Sequence, residues 1–394
     1  KTDQLYKAHG YHTKVPHLAI VPSILHYTRP GDIVLDGFCG SGMTGLAAQW
    51  CGTAPTSYRT QLEAEWKAAG HARPEWGARR VVLNDLGPAA SFIAAGYNLP
   101  FDVVRFEREA QRILSEVDEE LGWMYECLHT DGKSKGRINF TVWSEIFSCP
   151  QCAGEVSFLA EALDEVSLKI RPMFLCPHCG AELTKNRLEK CYEASFDQGV
   201  GEAVRVPKRR PSRINYSIGK HTFEKALDAQ DWAILESISQ MSFPAEVPIA
   251  RMMHTPPDVE IWGDKYRSGT ASFARVHNLF LARAAHSMAA LWRKAHATRE
   301  PDTRRMVVWF VEQAIWGMSI LARYAPTHFS QVNQYLSGVY YVGSQVVEAS
   351  PWYILFDESK RTSKLPRLVA AFTPMPSSTN AAAIQTGDCA SIPI

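Results

Sequence analysis

Apolar residues recur at helical spacing from Leu18 to His26, after a polar lead-in that occupies most of the first 30 positions. From Gly31 the pattern changes. Asp32-Ile33-Val34-Leu35-Asp36 reads as a short strand, Gly37 to Gly42 as a glycine loop, and Met43 to Cys51 as a helix. Residues 53–78 are polar and read as a surface insertion with one helical stretch, Gln61 to Ala69. A second strand, Arg79 to Asp85, leads into a helix from Pro88 to Tyr97 and a charged helix from Phe101 to Leu121. Residues 221–325 are mostly helical by period, including Ala271 to Ala297 and Thr303 to Tyr324. Tyr335 to Val347, rich in Tyr and Val, predicts a β-hairpin, and Ala381 to Cys389 a third strand ending at Gly387-Asp388. No internal repeat is present.

Composition changes this picture little. The 394 residues suffice for two or three domains, and 46% hydrophobic with 21% charged residues is ordinary for a globular chain. The net charge of +1 leaves any nucleic-acid surface to local basic clusters. The most apolar stretch, Met306 to Ala322, contains Glu312 and Gln313; it predicts a buried helix and no membrane span. No signal peptide is recognised. The opening at Lys1 and the close on Ser391-Ile392-Pro393-Ile394 read as cuts through a longer protein.

Nine cysteines are present, and four form two tight pairs. Cys149-Pro150-Gln151-Cys152 and Cys176-Pro177-His178-Cys179-Gly180 are two C-P-x-C knuckles separated by 23 residues. Four thiolates at this spacing suit tetrahedral zinc, with each turn aiming backbone N–H groups at the sulfurs. Four cysteines leave no open coordination position, so the metal's role is structural; His178 is expected to point outward. Cys39, Cys51, Cys127, Cys191 and Cys389 are scattered, which fits a reducing compartment better than a disulfide framework.

The glycine loop is the second chemical signal. Glycines allow a sharp bend and close approach of a ligand, and the following helix N-terminus offers free N–H groups. Gly40, Gly42 and Gly45 satisfy G-x-G-x-x-G, so a dinucleotide site competes. Asp36, however, sits where a carboxylate repels a pyrophosphate and suits a ligand with a cationic centre. Asp85, ending the second strand, is suited to the two hydroxyls of a ribose.

Asp36-Gly37-Phe38-Cys39-Gly40-Ser41-Gly42-Met43-Thr44 resembles the D-P-F-x-G-S-G-T-T motif of DNA N6-adenine and N4-cytosine methyltransferases, with Gly37 in place of Pro. Tyr11-His12-Thr13-Lys14-Val15-Pro16-His17-Leu18 resembles the element that precedes this motif in the family. The resemblance covers residues 9–98 well and 384–394 weakly. It implies a Rossmann-like class I methyltransferase sheet, here partial, interrupted by a zinc ribbon and a mainly helical region. It implies S-adenosylmethionine as cofactor and DNA as partner. Asp36, Gly40 and Gly42 would line the methionine end, with Thr13 and Lys14 by its carboxylate, and Phe38 and Ser41 of the same loop would also contact the cofactor. Asp85 would bind the ribose, Leu86 would pack on the adenine, and Asp388 would lie near the adenine amino group. The implied domains are a cofactor-binding part over 1–125, the zinc ribbon over 139–190, a mainly helical and target-recognising insertion over 200–350, and a return to the sheet over 351–394. The implied setting is the cytoplasm of a bacterium or archaeon.

The family's Asp/Asn/Ser-Pro-Pro-aromatic catalytic motif has no counterpart. Thr255-Pro256-Pro257-Asp258 lacks the leading group and the aromatic, and Asn98-Leu99-Pro100-Phe101 follows the wrong strand. No residue is therefore assigned to catalysis; the fragment alone is expected to be inactive and to need the remainder of the protein or a partner chain. Methylation of RNA or another nitrogen substrate, a non-catalytic zinc-stapled nucleic-acid-binding module, and a nicotinamide-dependent dehydrogenase stay open. Lys208, Arg209, Arg210 and Arg213, near Tyr216 and Lys220, read as a proline-broken linker or arm suited to DNA phosphates. Trp262, Lys265, Tyr266 and Arg267 form a smaller aromatic-basic cluster.

Overall fold

The computed structural model describes residues 3–164, 166–252, 274–325, 342–356, 363–373 and 382–392. The sequence motifs at 255–258 and 262–267, and most of the hairpin expected at 335–347, lie outside these residues. In chain order the main elements are α1 (His17–Tyr27), β1 (Ile33–Asp36), α2 (Met43–Thr53), α3 (Thr56–Ala68), β2 (Arg80–Asp85), α4 (Pro88–Asn98) and α5 (Val103–Leu121). There follow β3 (Lys135–Ser148), β4 (Tyr192–Asp197), β5 (Glu202–Pro207), β6 (Arg209–Ile218), β7 (His221–Lys225) and α6 (Ala229–Ser239). The chain then continues through α7 (Ala282–His296), α8 (Pro301–Val311), β8 (Gln345–Ala349), α9 (Lys364–Phe372) and β9 (Ala382–Thr386). The described fold is mixed α/β and divides into two compact units. One comprises residues 1–112, 295–313 and 364–394; the other comprises 113–294 and 314–363.

In the first unit β1, β2 and β9 form a parallel sheet with β2 in the middle. One face of it is dry. Val34, Val81, Leu83 and Ile384 pack against Val21, Ile24 and Leu25 of α1, Ala47 and Ala48 of α2, and Ala94 of α4. Parallel strands need helical connections, and short side chains on α2 and α4 let those helices lie close to the sheet. Gly96 has the same purpose on the far side of α4: a Cβ there would lie 2.4 Å from the indole nitrogen of the fully buried Trp309 on α8. The insertion after α2 is held down by Arg79, whose buried guanidinium donates to Thr28 Oγ1, to the Thr28 carbonyl and to the carbonyls of Glu75 and Gly77. A buried guanidinium is tolerated when its donors are so satisfied.

The apolar stretch at 306–322 is buried, but it is not one helix. α8 ends at Val311, a tight turn spans Glu312–Ala314, a short helix covers Ile315–Met318, and Ser319 and Arg323 enter β-bridges.

The second unit is organised by β3. This 14-residue strand pairs with β6, β8 and three shorter strands, Glu126–Leu128, Glu155–Ser157 and Glu189–Lys190. The buried side chains of this unit include Arg283 on α7 paired with Glu348 on β8, a pair that Thr141 Oγ1 and the Trp143 indole N–H join. Residues 202–225 correct the mainly helical reading of 200–350, since they form three strands joined by short links: β5, β6 and β7. The proline-broken stretch 205–213 is likewise no linker. Pro211 lies on β6 opposite Trp143 beside a register shift, a place where the missing N–H costs no ladder bond.

Candidate functional site

At the end of β1 the chain bends through Gly37 to Gly42 into the N-terminus of α2. Gly40 and Gly42 have φ of 52° and 75°, in the left-handed region that glycine enters without cost. Their surroundings differ. A Cβ at Gly42 would meet the Cα of Ala94 at 2.9 Å, so this glycine permits α2 and α4 to touch; Gly45 meets Asn98 in the same way. A Cβ at Gly40 would meet only the ring of Tyr11, at 3.0 Å.

The two acids are held by hydrogen bonds. Asp36 accepts from Phe38 N at 3.1 Å with one oxygen and from Thr44 Oγ1 at 2.6 Å with the other. Asp85 accepts from Gly40 N and Gly87 N, both at 2.9 Å, and so joins the glycine bend to the end of β2. Each carboxylate oxygen keeps a second lone pair for another donor. Beside them Phe38 and Leu86 are 81% and 75% exposed, unusual for large apolar side chains. Ser41 is buried. The Cys39 thiol is pushed up to about 12 by burial and then by the charges of Asp36 and Asp85, so it is no nucleophile.

Asn84 is a site residue that the sequence reading passed over. Its buried side-chain amide donates to the carbonyls of Gly37, at 3.2 Å, and Gly387, at 3.0 Å. Gly387 N in turn donates to the Asp85 carbonyl. The turns after all three strands are thereby fastened together, with Asp36, Asp85 and Asp388 at one edge of the sheet. Asp388 spends one oxygen capping Ala390 N. An amide inside an apolar strand was the available signal.

Tyr11 carries no role that its sequence position announces, yet its ring covers Gly40. Burial raises its phenol pKa first, and the negative charge of Asp85 adds to this. Three residues on, the Lys14 ammonium donates to the carbonyls of Tyr6 and His9 and to Tyr97 Oη, at 2.6, 2.9 and 2.7 Å. All three of its donors are taken. Burial, then the charge of Lys364, lowers Lys14 to about 7, with Asp3 opposing. His9 fastens the same segment through Glu312 at 2.7 Å, and Thr13 is exposed.

In the second unit the four knuckle cysteines converge, their sulfurs lying within 4.8 Å of one another. The two turns repeat each other. Cys149 N bonds Gly154 O and Ala153 N bonds Cys149 O; Cys176 N bonds Ala181 O and Gly180 N bonds Cys176 O, all at 2.9 Å. Ala153 and Gly180, each following the second cysteine of its pair, share a left-handed φ of 55° and 72°. Phe147, Phe158, Phe174 and Leu183 pack around Cys149 and Cys176, while Cys152 and Cys179 face outward. N–H groups of Cys152 and Gln151 lower the Cys149 thiol to about 6. His178 is bonded to the Glu155 carbonyl at 2.8 Å and is not part of the sulfur cluster. The group has the composition of a closed zinc site.

Four of the basic residues expected to face DNA are otherwise engaged. Lys208 pairs with Glu155, Arg209 with Glu145 at 3.1 Å, Arg210 with Glu193 at 2.8 Å and Arg213 with Glu224 at 3.0 Å. Tyr216 is buried and bonded to His129. Each of these cations has a carboxylate partner within the same unit, which weakens its attraction for phosphate.

The family model for DNA methylases matches residues 1–54, which contain the Lys14 segment, β1, the glycine bend and α2, and supports the N6/N4 DNA methyltransferase family. No curated protein and no solved structure matches the chain. Among the described residues no helix is long and apolar enough to cross a membrane.

Proposed function

We propose that the chain is the cofactor-binding part of a DNA amino-methyltransferase that takes a methyl group from S-adenosylmethionine. The observation that carries this is the common edge of β1, β2 and β9, where Asp36, Asp85 and Asp388 flank a glycine bend. Parallel strands in the order β1-β2-β9, with helices between them, support a partial Rossmann-like sheet of class I methyltransferase type. Ligands of such sheets bind beyond the carboxyl ends of the strands.

The residues fit the cofactor's chemistry. Asp36 offers negative charge for the sulfonium and ammonium of the methionine half, with Gly40 and Gly42 giving close backbone approach. Asp85, fixed by Gly40 N and Gly87 N, keeps acceptor capacity for the ribose diol. Phe38 and Leu86 supply apolar surface for the adenine, and Asp388 has one oxygen left for its amino group. We assign Lys14 to fastening the N-terminal segment, since reaching the methionine carboxylate requires giving up one of its three bonds. When bound, the cofactor supplies an electrophilic methyl group to the exocyclic amine of adenine or cytosine; no residue of this chain is assigned to activating that amine. The four cysteines hold a structural zinc ion.

Calorimetric titration with S-adenosylmethionine tests the site. Asp36→Ala is expected to weaken binding by about tenfold to a hundredfold, the loss of a hydrogen bond or ion contact to a charged group. Undiminished affinity in a variant with unchanged circular dichroism refutes the assignment.

A further inference from the structure

We infer that one face of the β4–β5 hairpin is a docking surface for an unpaired strand of DNA, an inference that rests on DNA being the substrate. In this antiparallel pair, residues opposite one another share a face. Tyr192, Ala194 and Phe196 stand with Pro207, Arg205 and Ala203 on one side; Glu193, Ser195 and Asp197 stand with Val206, Val204 and Glu202 on the other.

The second side is anchored. Asp197 is bonded to His277 at 2.7 Å and to Asn278 at 3.3 Å, and Glu193 is paired with Arg210. Apart from buried Pro207, the first side faces solvent, with Tyr192 44% and Phe196 65% exposed. The Arg205 guanidinium lies 4.3 Å from the centre of the Tyr192 ring.

Charge decides the occupant. Lys208, Arg209, Arg210 and Arg213 each have a carboxylate partner, whereas Arg205 has none among the described residues, and its face of the hairpin carries no acid. An unneutralised guanidinium against one exposed ring, on a face with a second exposed ring and no acid, suits a polyanion whose planar groups can stack. The bases must be unpaired, because in a duplex their faces are already covered by neighbouring bases. Four strand positions separate Tyr192 from Phe196, roughly 13 Å at about 3.3 Å per residue, close to the rise of about four stacked nucleotides. The backing through Asp197 and Glu193 keeps the hairpin fixed, so the rings are presented at little entropic cost.

Fluorescence anisotropy of the full chain with a labelled oligothymidine of about 12 nucleotides, and with a duplex of the same length, is the test. The expected result is tighter binding of the single strand. Tyr192→Ala and Phe196→Ala should each weaken it about fivefold to a hundredfold, while Tyr192→Phe keeps it. Arg205→Ala should reduce the slope of log affinity against log salt by about 0.7. Unchanged melting temperatures of these exposed variants identify the losses as binding. If the chain binds the strand and the variants bind it equally well, or if the duplex is preferred, the hairpin assignment is overturned. If the chain binds neither oligonucleotide, the reading of DNA as substrate fails and takes this inference with it.

Discussion

The cysteine cluster and the glycine bend place their chemistry by opposite means. In the cluster, side chains of two four-residue turns meet, and each turn's backbone bonds close within six residues: Cys149 to Gly154 and Cys176 to Ala181. In the bend, the acids come from positions 36, 85 and 388, and the parts are joined by Asn84 and by Asp85 reaching back to Gly40 N. The first arrangement has the ligand set of a closed metal site, whose like charges a cation would hold together; the second depends on the sheet that aligns the strand ends. Damage to each should therefore spread differently.

Metal removal has the largest expected effect. Four thiolates cannot stay within 4.8 Å of one another as charged groups without a cation, and binding of structural zinc is worth on the order of 10 kcal/mol. Chelation, or Cys176→Ser, should expose the amides of residues 149–190 to hydrogen exchange and leave those of β1 and β2 protected. Equal protection of 149–190 with and without metal would show that the aromatic core around Cys149 suffices alone.

On the side of the bend, Gly42→Ala should cost about 3 kcal/mol. A left-handed φ costs a β-carbon about 1 kcal/mol, and overpacking against Ala94 adds about 1–3 kcal/mol. Thermal melting measures the loss, and a variant as stable as the parent shows that α2 and α4 can move apart. Asn84→Ala is expected to cost about 1–3 kcal/mol by leaving the Gly37 and Gly387 carbonyls without a donor. It should also weaken cofactor binding although Asn84 need not touch the ligand; a change in stability with none in affinity would separate the strand-end clamp from the site.

The last effect concerns Lys14 and is read as a slope against pH. Its folded-state pKa of about 7 lies below the ordinary 10.5, so between these values the unfolded chain holds more protons. Its contribution makes stability rise with pH across that window. Lys14→Met should flatten the rise of melting temperature from pH 7 to 10, and an identical slope in both proteins assigns it to other groups.

Much of this was legible in the order of residues. The strand-bend-helix at 33–53, the second strand, its following helix and the strand ending before Gly387 could be read because each buries an apolar pattern of its own period. The knuckles were legible because turn and ligands are contiguous. Residues 205–225 were misread as an arm and helix, since charges and a proline on β6 look solvated until Glu145, Glu155, Glu193 and Glu224 are brought opposite them. Tyr11 and Asn84 were missed because their partners lie far along the chain, at Gly40, Gly37 and Gly387.

Local sequence, then, determined two things: where the backbone can bend sharply, and which residues near the bends carry charge or sulfur. Bending propensity and ligand spacing are properties of a few neighbouring residues. Tertiary structure alone decided which cations are left unpaired, which ring covers the bend, and which amide ties the strand ends. Those outcomes depend on groups tens to hundreds of positions apart, and only packing of the sheets brings them within hydrogen-bonding distance.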